Sequence, residues 1–358
     1  MASTKITSTD ITDMKNAVSN VTIAAGSVDN AEYPEWGNPK WPIWLGYYQM
    51  VPELRAVIDA KATWSVGKGY QADAETKAIL NKIKGMGKDT FNNILHNAVK
   101  TYTVGGDFFA ENIRHDTKGT LLNLKPLTPS TINILSNRRG IIKRYVQRTA
   151  EGDIKNKFNP EEMFHLPWNR IGESIHGQST VEAIESTILS FNEAYADMKT
   201  IFHRYVKPLI ISVVDTDDTA EISAYKNKLD KAVENGENMV VPKGTLDKME
   251  RMSIPQYSTL DPLPWIQQLQ RRFVIAEGVP EVILGHGQST TEATSKILYL
   301  AFQQTIEYNQ NFIQEQIDSQ LDLKINLEFP ASLEPAMQTD VAKERNPNNF
   351  QMKHDAKK

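Results

Sequence analysis

Apolar residues in this chain recur at two periods, and the switches between them mark out its elements. From Trp44 to Val66, the residues Val51, Leu54, Ile58 and Ala62 are spaced three or four apart, which predicts a helix closed by Gly67. Shorter helical stretches are predicted over Thr76–Lys84 and Thr90–Thr103. The period then drops to two. Asp107–Ile113 and Thr120–Leu124 flank a turn at His115–Gly119, and Thr131–Leu135 and Ile141–Gln147 flank another at Ser136–Gly140; each pair predicts a hairpin. Met163–Leu166 predicts one more short strand.

The clearest pattern comes next. Val181, Ile184, Ile188, Phe191, Tyr195, Met198, Phe202 and Tyr205 follow one another at spacings of 3, 4, 3, 4, 3, 4 and 3, an apolar seam along a single helix from Thr180 to Tyr205. Glu182 and Glu185 lie near its start and His203, Arg204 and Lys207 near its end, the polarity that suits the helix dipole. Pro208 stops it. A strand at Leu209–Val214, a helix at Ala220–Asn235 and a strand at Asn238–Pro242 then read as a compact strand–helix–strand module. Pro262 and Pro264 open another helix, Trp265–Glu277, with Leu269, Phe273 and Ala276 on one face. Gly285–Thr290 is small, polar and glycine-flanked, and predicts a flexible loop. The helix after it, Thr291–Leu321, would be roughly 45 Å long at 1.5 Å per residue. Leu323–Phe329 alternates and predicts a last strand. The stretch Tyr33–Pro42 holds three prolines, which argues against a regular helix there, and its tryptophans are read as pinning it to a neighbouring surface. Residues 1–30 and everything beyond Pro330 are polar and predict a mobile arm and a tail. The fold class read from this layout is α+β, with unusually long helices that need neighbours to bury their seams.

Composition narrows the function classes. A net charge of −4 gives no overall pull onto nucleic acid or anionic lipid. The absence of cysteine removes disulfides, thiolate chemistry and cysteine zinc sites, and fits assembly in a reducing cytoplasm. The N-terminus has no apolar signal-peptide core, and the longest apolar run, Pro208–Val214, is far too short to span a bilayer.

Motifs for catalysis are poor throughout. Gly85-Met-Gly-Lys88-Asp-Thr90 lacks the first glycine of a phosphate loop, whose place is taken by Lys82, and it follows a helix rather than a strand. Val66–Tyr70 reads as a helix stop. Gly172-Glu-Ser174-Ile-His176 and Gly177-Gln-Ser179-Thr-Val181 both lack the closing glycine of a nucleophile elbow. The seven histidines, His96, His115, His165, His176, His203, His286 and His354, form no zinc-type spacing and read as surface or hydrogen-bonded structural residues. Glu161-Glu162 reads as a solvated turn. Asp215, Asp217 and Asp218 lack the glycine and final glutamate of an EF-hand and read as a turn with a helix cap. No catalytic, cofactor or metal residue is expected. The basic clusters Arg138-Arg139, Lys143-Arg144 and Arg271-Arg272 read as solvated faces, the last gaining interest if its helix lines a channel.

Four stretches together resemble the portal proteins of tailed bacteriophages. Val51-Pro-Glu-Leu54 through Gly67-Lys-Gly69 is similar to that family's early helix and its glycine stop. Phe158-Asn-Pro-Glu-Glu-Met-Phe-His165, followed by Ile171-Gly172 and by His176-Gly177-Gln-Ser179-Thr-Val181-Glu-Ala183, resembles the family's F-x-P-(D/E)-(D/E)-(I/V)-x-H strand and the G-x-S opening of its first stem helix. Lys207-Pro208 is similar to its stem-to-strand junction, and Val274–Gly285 to its I-A-x-x-F-x-V-P-P-x-L-L-G signature. The order is the family's from about residue 45 to 330. Glu281 departs from it where a second proline is frequent, and the short segment after the last strand leaves little for a helical crown.

This resemblance implies a portal-like α+β subunit with long stem and tunnel helices, a mixed α/β wing and a small strand–helix–strand clip. Its parts would be an arm at 1–30, a wing at 31–178, a stem helix at 179–207, a clip at 208–257, a second stem helix at 258–278, a tunnel loop, long helix and last wing strand at 279–330, and a tail at 331–358. The implied assembly is a homo-oligomeric ring, typically of twelve, at one capsid vertex of a virion. Double-stranded DNA would pass through it during packaging and ejection. The implied partners are the terminase large subunit, major capsid and scaffold proteins and neck or adaptor proteins, with no membrane, no cofactor and no enzymatic role. Gly285, His286, Gly287, Gln288, Ser289 and Thr290 would form the tunnel loop, with Arg271 and Arg272 facing the channel. Asp217, Asp218, Tyr225, Lys228, Asn235 and Lys243 would dock the motor or neck, and the Val181–Tyr205 seam would pack subunits. A ring of twelve would carry a formal charge of 12 × −4 = −48, a sign that lets DNA slide with few lasting phosphate contacts. Another capsid or baseplate component, a hydrolase with a scattered site, and a DNA-binding regulator remain as other readings of the residues.

Overall fold

The structure, a computed structural model, describes residues 34–115, 119–206, 210–214, 217–235, 246–251, 263–285 and 291–330. The predicted arm, the tail, the strand at Asn238–Pro242 and most of the Gly285–Thr290 loop lie outside them. The chain divides into two compact units, residues 1–188 with 270–358, and residues 189–269.

The first unit starts with a two-residue strand β1 (Glu35–Trp36) and helices α1 (Trp41–Met50) and α2 (Pro52–Val66). The helix expected to run unbroken from Trp44 is thus two. Pro52 is the reason: a residue before proline is pushed out of the α region, and Val51 is extended at φ −99° and ψ 103°. Pro42 sits in the first turn of α1, where its missing N–H costs nothing, so helix begins inside the proline-rich stretch. The predicted face of α2 is buried at Val51, Leu54, Ile58 and Ala62. Gly67 closes the helix at φ +58°, a conformation that favours glycine.

Helices α3 (Ala74–Leu80) and α4 (Phe91–Gly105) follow, capped by the side chains of Asp73 and Thr90. Strands β2 (Asp107–Arg114), β3 (Leu121–Leu127) and β7 (Met163–Pro167) form one antiparallel sheet in the order β3-β2-β7. Strands β4 (Ile132–Ser136), β5 (Ile142–Arg148) and β6 (Ile154–Phe158) form a second with β1, in the order β1-β4-β5-β6. Both predicted hairpins are present; β6 adds a strand that periodicity does not mark. Strand β2 is covered on both sides. Phe108 and Ala110 join a core with α4 and the far end of the long C-terminal helix, whereas Phe109 joins Ile132, Ile134, Tyr145 and Phe158 of the second sheet.

Helices α5 (Thr180–Ala183) and α6 (Glu185–Val206) occupy the predicted stem. The expected single helix is broken at Ile184, whose N–H bonds to Val181 O in a tighter turn before the α-helical pattern resumes. The second unit contains most of α6, strands β8 (Ile210–Val214) and β9 (Leu246–Arg251) paired antiparallel, and α7 (Thr219–Asn235). The described partner of β8 is therefore β9, downstream of the predicted strand. Helix α8 (Leu263–Glu277) buries Ile266, Leu269 and Phe273, and Glu277 takes the buried place expected for Ala276. The long helix α9 runs Glu292–Leu321, matching the range expected for it. Leu323–Phe329 is not a strand: it buries Leu323 and Leu327 but pairs only through an isolated bridge between Asn326 and Gln71. Among the described residues no helix is long and apolar enough to cross a membrane.

Candidate subunit interface and its anchors

The residues that set the start of α5 are held by α1, α4 and the segments beside them in the first unit. Ser179 caps α5, accepting the Glu182 N–H and donating its own hydroxyl to Val104 O at the end of α4. Lys40 reaches Glu182 at 2.7 Å and the Tyr47 hydroxyl reaches Glu185 at 3.3 Å. Burial, then Glu185, push the Tyr47 phenol up to about 12. The Gly106 and Gly177 backbones cross closely enough that neither has room for a Cβ.

Beneath this junction Asp107, the first residue of β2, is a buried hub. It accepts from His165 Nε2 at 3.0 Å, from His176 Nδ1 at 2.7 Å and from the Gly177 N–H at 2.9 Å. Burial opposes its ionisation, but the histidine hydrogen bonds outweigh that and hold the carboxyl at about 2. Burial lowers the His165 pKa and so favours the neutral ring. With Nε2–H given to the carboxylate, Nδ1 is left to accept from the Tyr145 hydroxyl at 3.1 Å. The ring also stacks on Phe109, with centroids 4.5 Å apart. Both histidines spend nitrogens on one carboxylate, so the cluster is a structural clamp. Among the described residues no group of three or more His, Cys, Asp and Glu side chains could hold a metal ion.

Two further clamps hold the other long helices. Lys61 of α2 meets Glu277 of α8 at 3.0 Å, with side chains 6% and 0% exposed, and its ammonium lies over the Trp168 ring. On α9, Asn309 bonds Tyr102 and Ser65, Gln310 bonds Ser65 O, and Gln320 bonds both backbone groups of His165. Lys61, Glu277, Asn309, Gln310 and Gln320 did not stand out in the sequence, whereas His165, His176 and Ser179 fall in the stretches that resemble the portal family, with the histidines read as surface or hydrogen-bonded structural residues. A lysine on the apolar face of α2 and a lone aspartate opening an apolar strand were the available signals.

The predicted seam splits into two parts. Val181, Ile184, Ile188 and Phe191 are buried. Tyr195 and Phe202 are 63% and 60% exposed, and Met198 is half-buried. Tyr205 lies in α6, within its last turn. Exposed apolar residues also mark α8 at Trp265 and Ile275 and α9 at Ile297, Leu298 and Tyr308. Exposed apolar patches of this kind on long helices are surface suited to association.

The other candidate residues are dispersed. Arg271 pairs with Glu281 at 3.2 Å, while Arg272 is exposed on the same helix. Gly285 ends a turn at φ +86°, and His286, Gly287, Gln288, Ser289 and Thr290 lie outside the described residues. Asp217, Asp218 and Lys228 are exposed on the second unit, Tyr225 is half-buried, Asn235 is the last residue of α7, and Lys243 lies outside the described residues.

No protein-family model matches the chain, and no curated protein matches it in sequence. Solved structures do match. A chain from the neck of a native gene transfer agent particle, computed with C12 symmetry, is 15% identical, with a TM-score of 0.64 over 90% of this chain and 93% of that one. A chain from the neck of the empty particle, computed with C6 symmetry, gives 15% and 0.64 over 91% and 93%. An HK97-family phage portal protein from Corynebacterium diphtheriae is 12% identical, with a TM-score of 0.52 over 83% of this chain and 96% of that one. The α+β fold of this chain is that of an HK97-family phage portal protein.

Proposed function

We propose that the chain is a subunit of a ring-shaped portal at a capsid vertex, a structural virion protein rather than an enzyme. The observation that carries this reading is the divided seam of α6. The same apolar row that buries Ile188 and Phe191 continues to Tyr195 and Phe202 in the open, which is what a helix completed by a neighbouring copy requires. The likeness to a chain from a particle neck computed with C12 symmetry supports a closed ring, for which twelve is the number we adopt.

In this ring α6 and α8 are the stem, and Gly285–Thr290 is the tunnel loop that faces double-stranded DNA during packaging and ejection. Arg271 and Arg272 face the channel. The module at 208–257, with Asp217, Asp218, Tyr225, Lys228, Asn235 and Lys243, docks the terminase large subunit and later the neck or adaptor proteins. Capsid and scaffold proteins surround the wing, and assembly takes place in the host cytoplasm. The test is electron microscopy of the purified full chain. Rings with a central hole are the expected image; compact particles without a hole would overturn the reading. Replacing His286–Thr290 by a Gly/Ser linker should leave the rings intact and alter DNA retention.

A further inference from the structure

The second sheet carries a cluster of basic residues from one stretch of the sequence. Residues 138–157 hold seven Lys and Arg and two acids, a surplus of five in a chain whose net charge is −4, so the remainder carries −9. Arg148 is answered by Glu35, which takes Nε and Nη2 at 2.7 Å each. The other six, Arg138, Arg139, Lys143, Arg144, Lys155 and Lys157, are exposed, and none forms an ion pair among the described residues.

Their arrangement is built. Tyr145 and Phe158 pair across β5 and β6 and face the core, so alternation turns Arg144 and Lys157 to the opposite face. The sheet has two bulges along β5 and β6. The extra residue is Lys143 in one and Lys155 in the other, positions where a bulge frees a side chain from the regular ladder. The tip that carries Arg138 and Arg139 is fixed by the Asn137 side chain, which accepts the N–H groups of Arg139 and Ile141. The two acids, Glu151 and Asp153, lie in the β5–β6 turn, at the far end of β5 from that tip.

We infer that this face is a contact surface for the phosphate backbone of double-stranded DNA, separate from the channel. It offers positive charge along β5, the edge strand β6 and the tip before β5. Its exposed apolar residues are Ile141 and Ile154, while the aromatic Tyr145 and Phe158 are buried, so it lacks the stacking platforms that single strands need. Phosphate contacts of this kind position a duplex without selecting its sequence. The inference rests on the portal reading only for bringing DNA near the wing.

The test is binding of a labelled duplex of about 30 base pairs to the full chain across a salt series, with the particle mass read on the same samples. Each neutralised phosphate contact contributes about 0.9 to the slope of log affinity against log salt. The variant Arg144→Gln/Lys155→Gln/Lys157→Gln should therefore lose about 2.7 of slope and at least tenfold in affinity near 0.1 M salt. The variant Lys68→Gln/Lys88→Gln/Lys324→Gln makes the same charge change at scattered exposed sites and should behave as the parent. Equal slopes in the two variants would overturn the inference, as would a parent that binds polyglutamate and not duplex. Loss of slope in a monomer would support this surface while contradicting the ring; rings with unchanged slope would do the reverse.

Discussion

Asp107 and His176 meet at 2.7 Å across 69 residues of chain, joining the first residue of β2 to the segment that leads into α5. The contact fixes where α5 begins, because Gly177, next to His176, donates to the same carboxylate and Ser179 caps the helix two residues later. Asp107→Asn leaves two histidines and an amide N–H competing for one acceptor. It should destabilise the first unit by about 2–3 kcal/mol, the worth of a buried hydrogen bond to a charged group. Denaturant unfolding of the variant would show this as a lower midpoint.

The same hub makes stability depend on pH. The folded state holds the His165 pKa below its ordinary value of 6.5 and Asp107 at about 2, below its ordinary value of 3.8. In both cases the unfolded chain binds protons first, so stability falls as pH falls. The His165 part is lost below pH 6.5 and the Asp107 part between 3.8 and about 2. Unfolding midpoints should drop from pH 7.5 to 5, and His165→Gln should flatten that drop.

Lys61 and Glu277 make a buried pair whose second carboxylate oxygen has no hydrogen-bond partner among the described residues. Lys61→Met alone should cost about 3–5 kcal/mol, because it strands a buried charge. The double variant Lys61→Met/Glu277→Leu should recover most of that loss, which a double-mutant cycle in denaturant measures directly.

The two parts of the α6 seam should respond differently. Ile188→Ala removes a fully buried side chain and should cost about 2–5 kcal/mol of chain stability. Phe202→Ser changes an exposed one and should leave the unfolding of the single chain within about 0.5 kcal/mol while weakening assembly. Thermal unfolding and sedimentation of the two variants separate these effects.

The stem-region helix was legible because a regular apolar spacing persists over many turns, as in α6. Strand β6 was not, since Ile-Lys-Asn-Lys-Phe supplies one core residue, Phe158, and so no alternation. Leu323–Phe329 shows the converse error: Leu323 and Leu327 alternate because they are buried, and burial needs no ladder of hydrogen bonds. The hub at Asp107 was hidden because its partners lie 58 and 69 residues away, joined by strand pairing that no local pattern announces. The basic sheet face was legible in part, since Arg138-Arg139 and Lys143-Arg144 stand out as clusters while Lys155 and Lys157 lie on the unmarked strand β6.

The mass of the purified full chain in solution, by light scattering, tests the central claim most directly. One chain is 40.4 kDa, and a ring of twelve is twelve times that, about 485 kDa. A single large species near that mass is expected, shifted toward single chains by Phe202→Ser. A parent protein that stays at the mass of one chain as its concentration rises would contradict it.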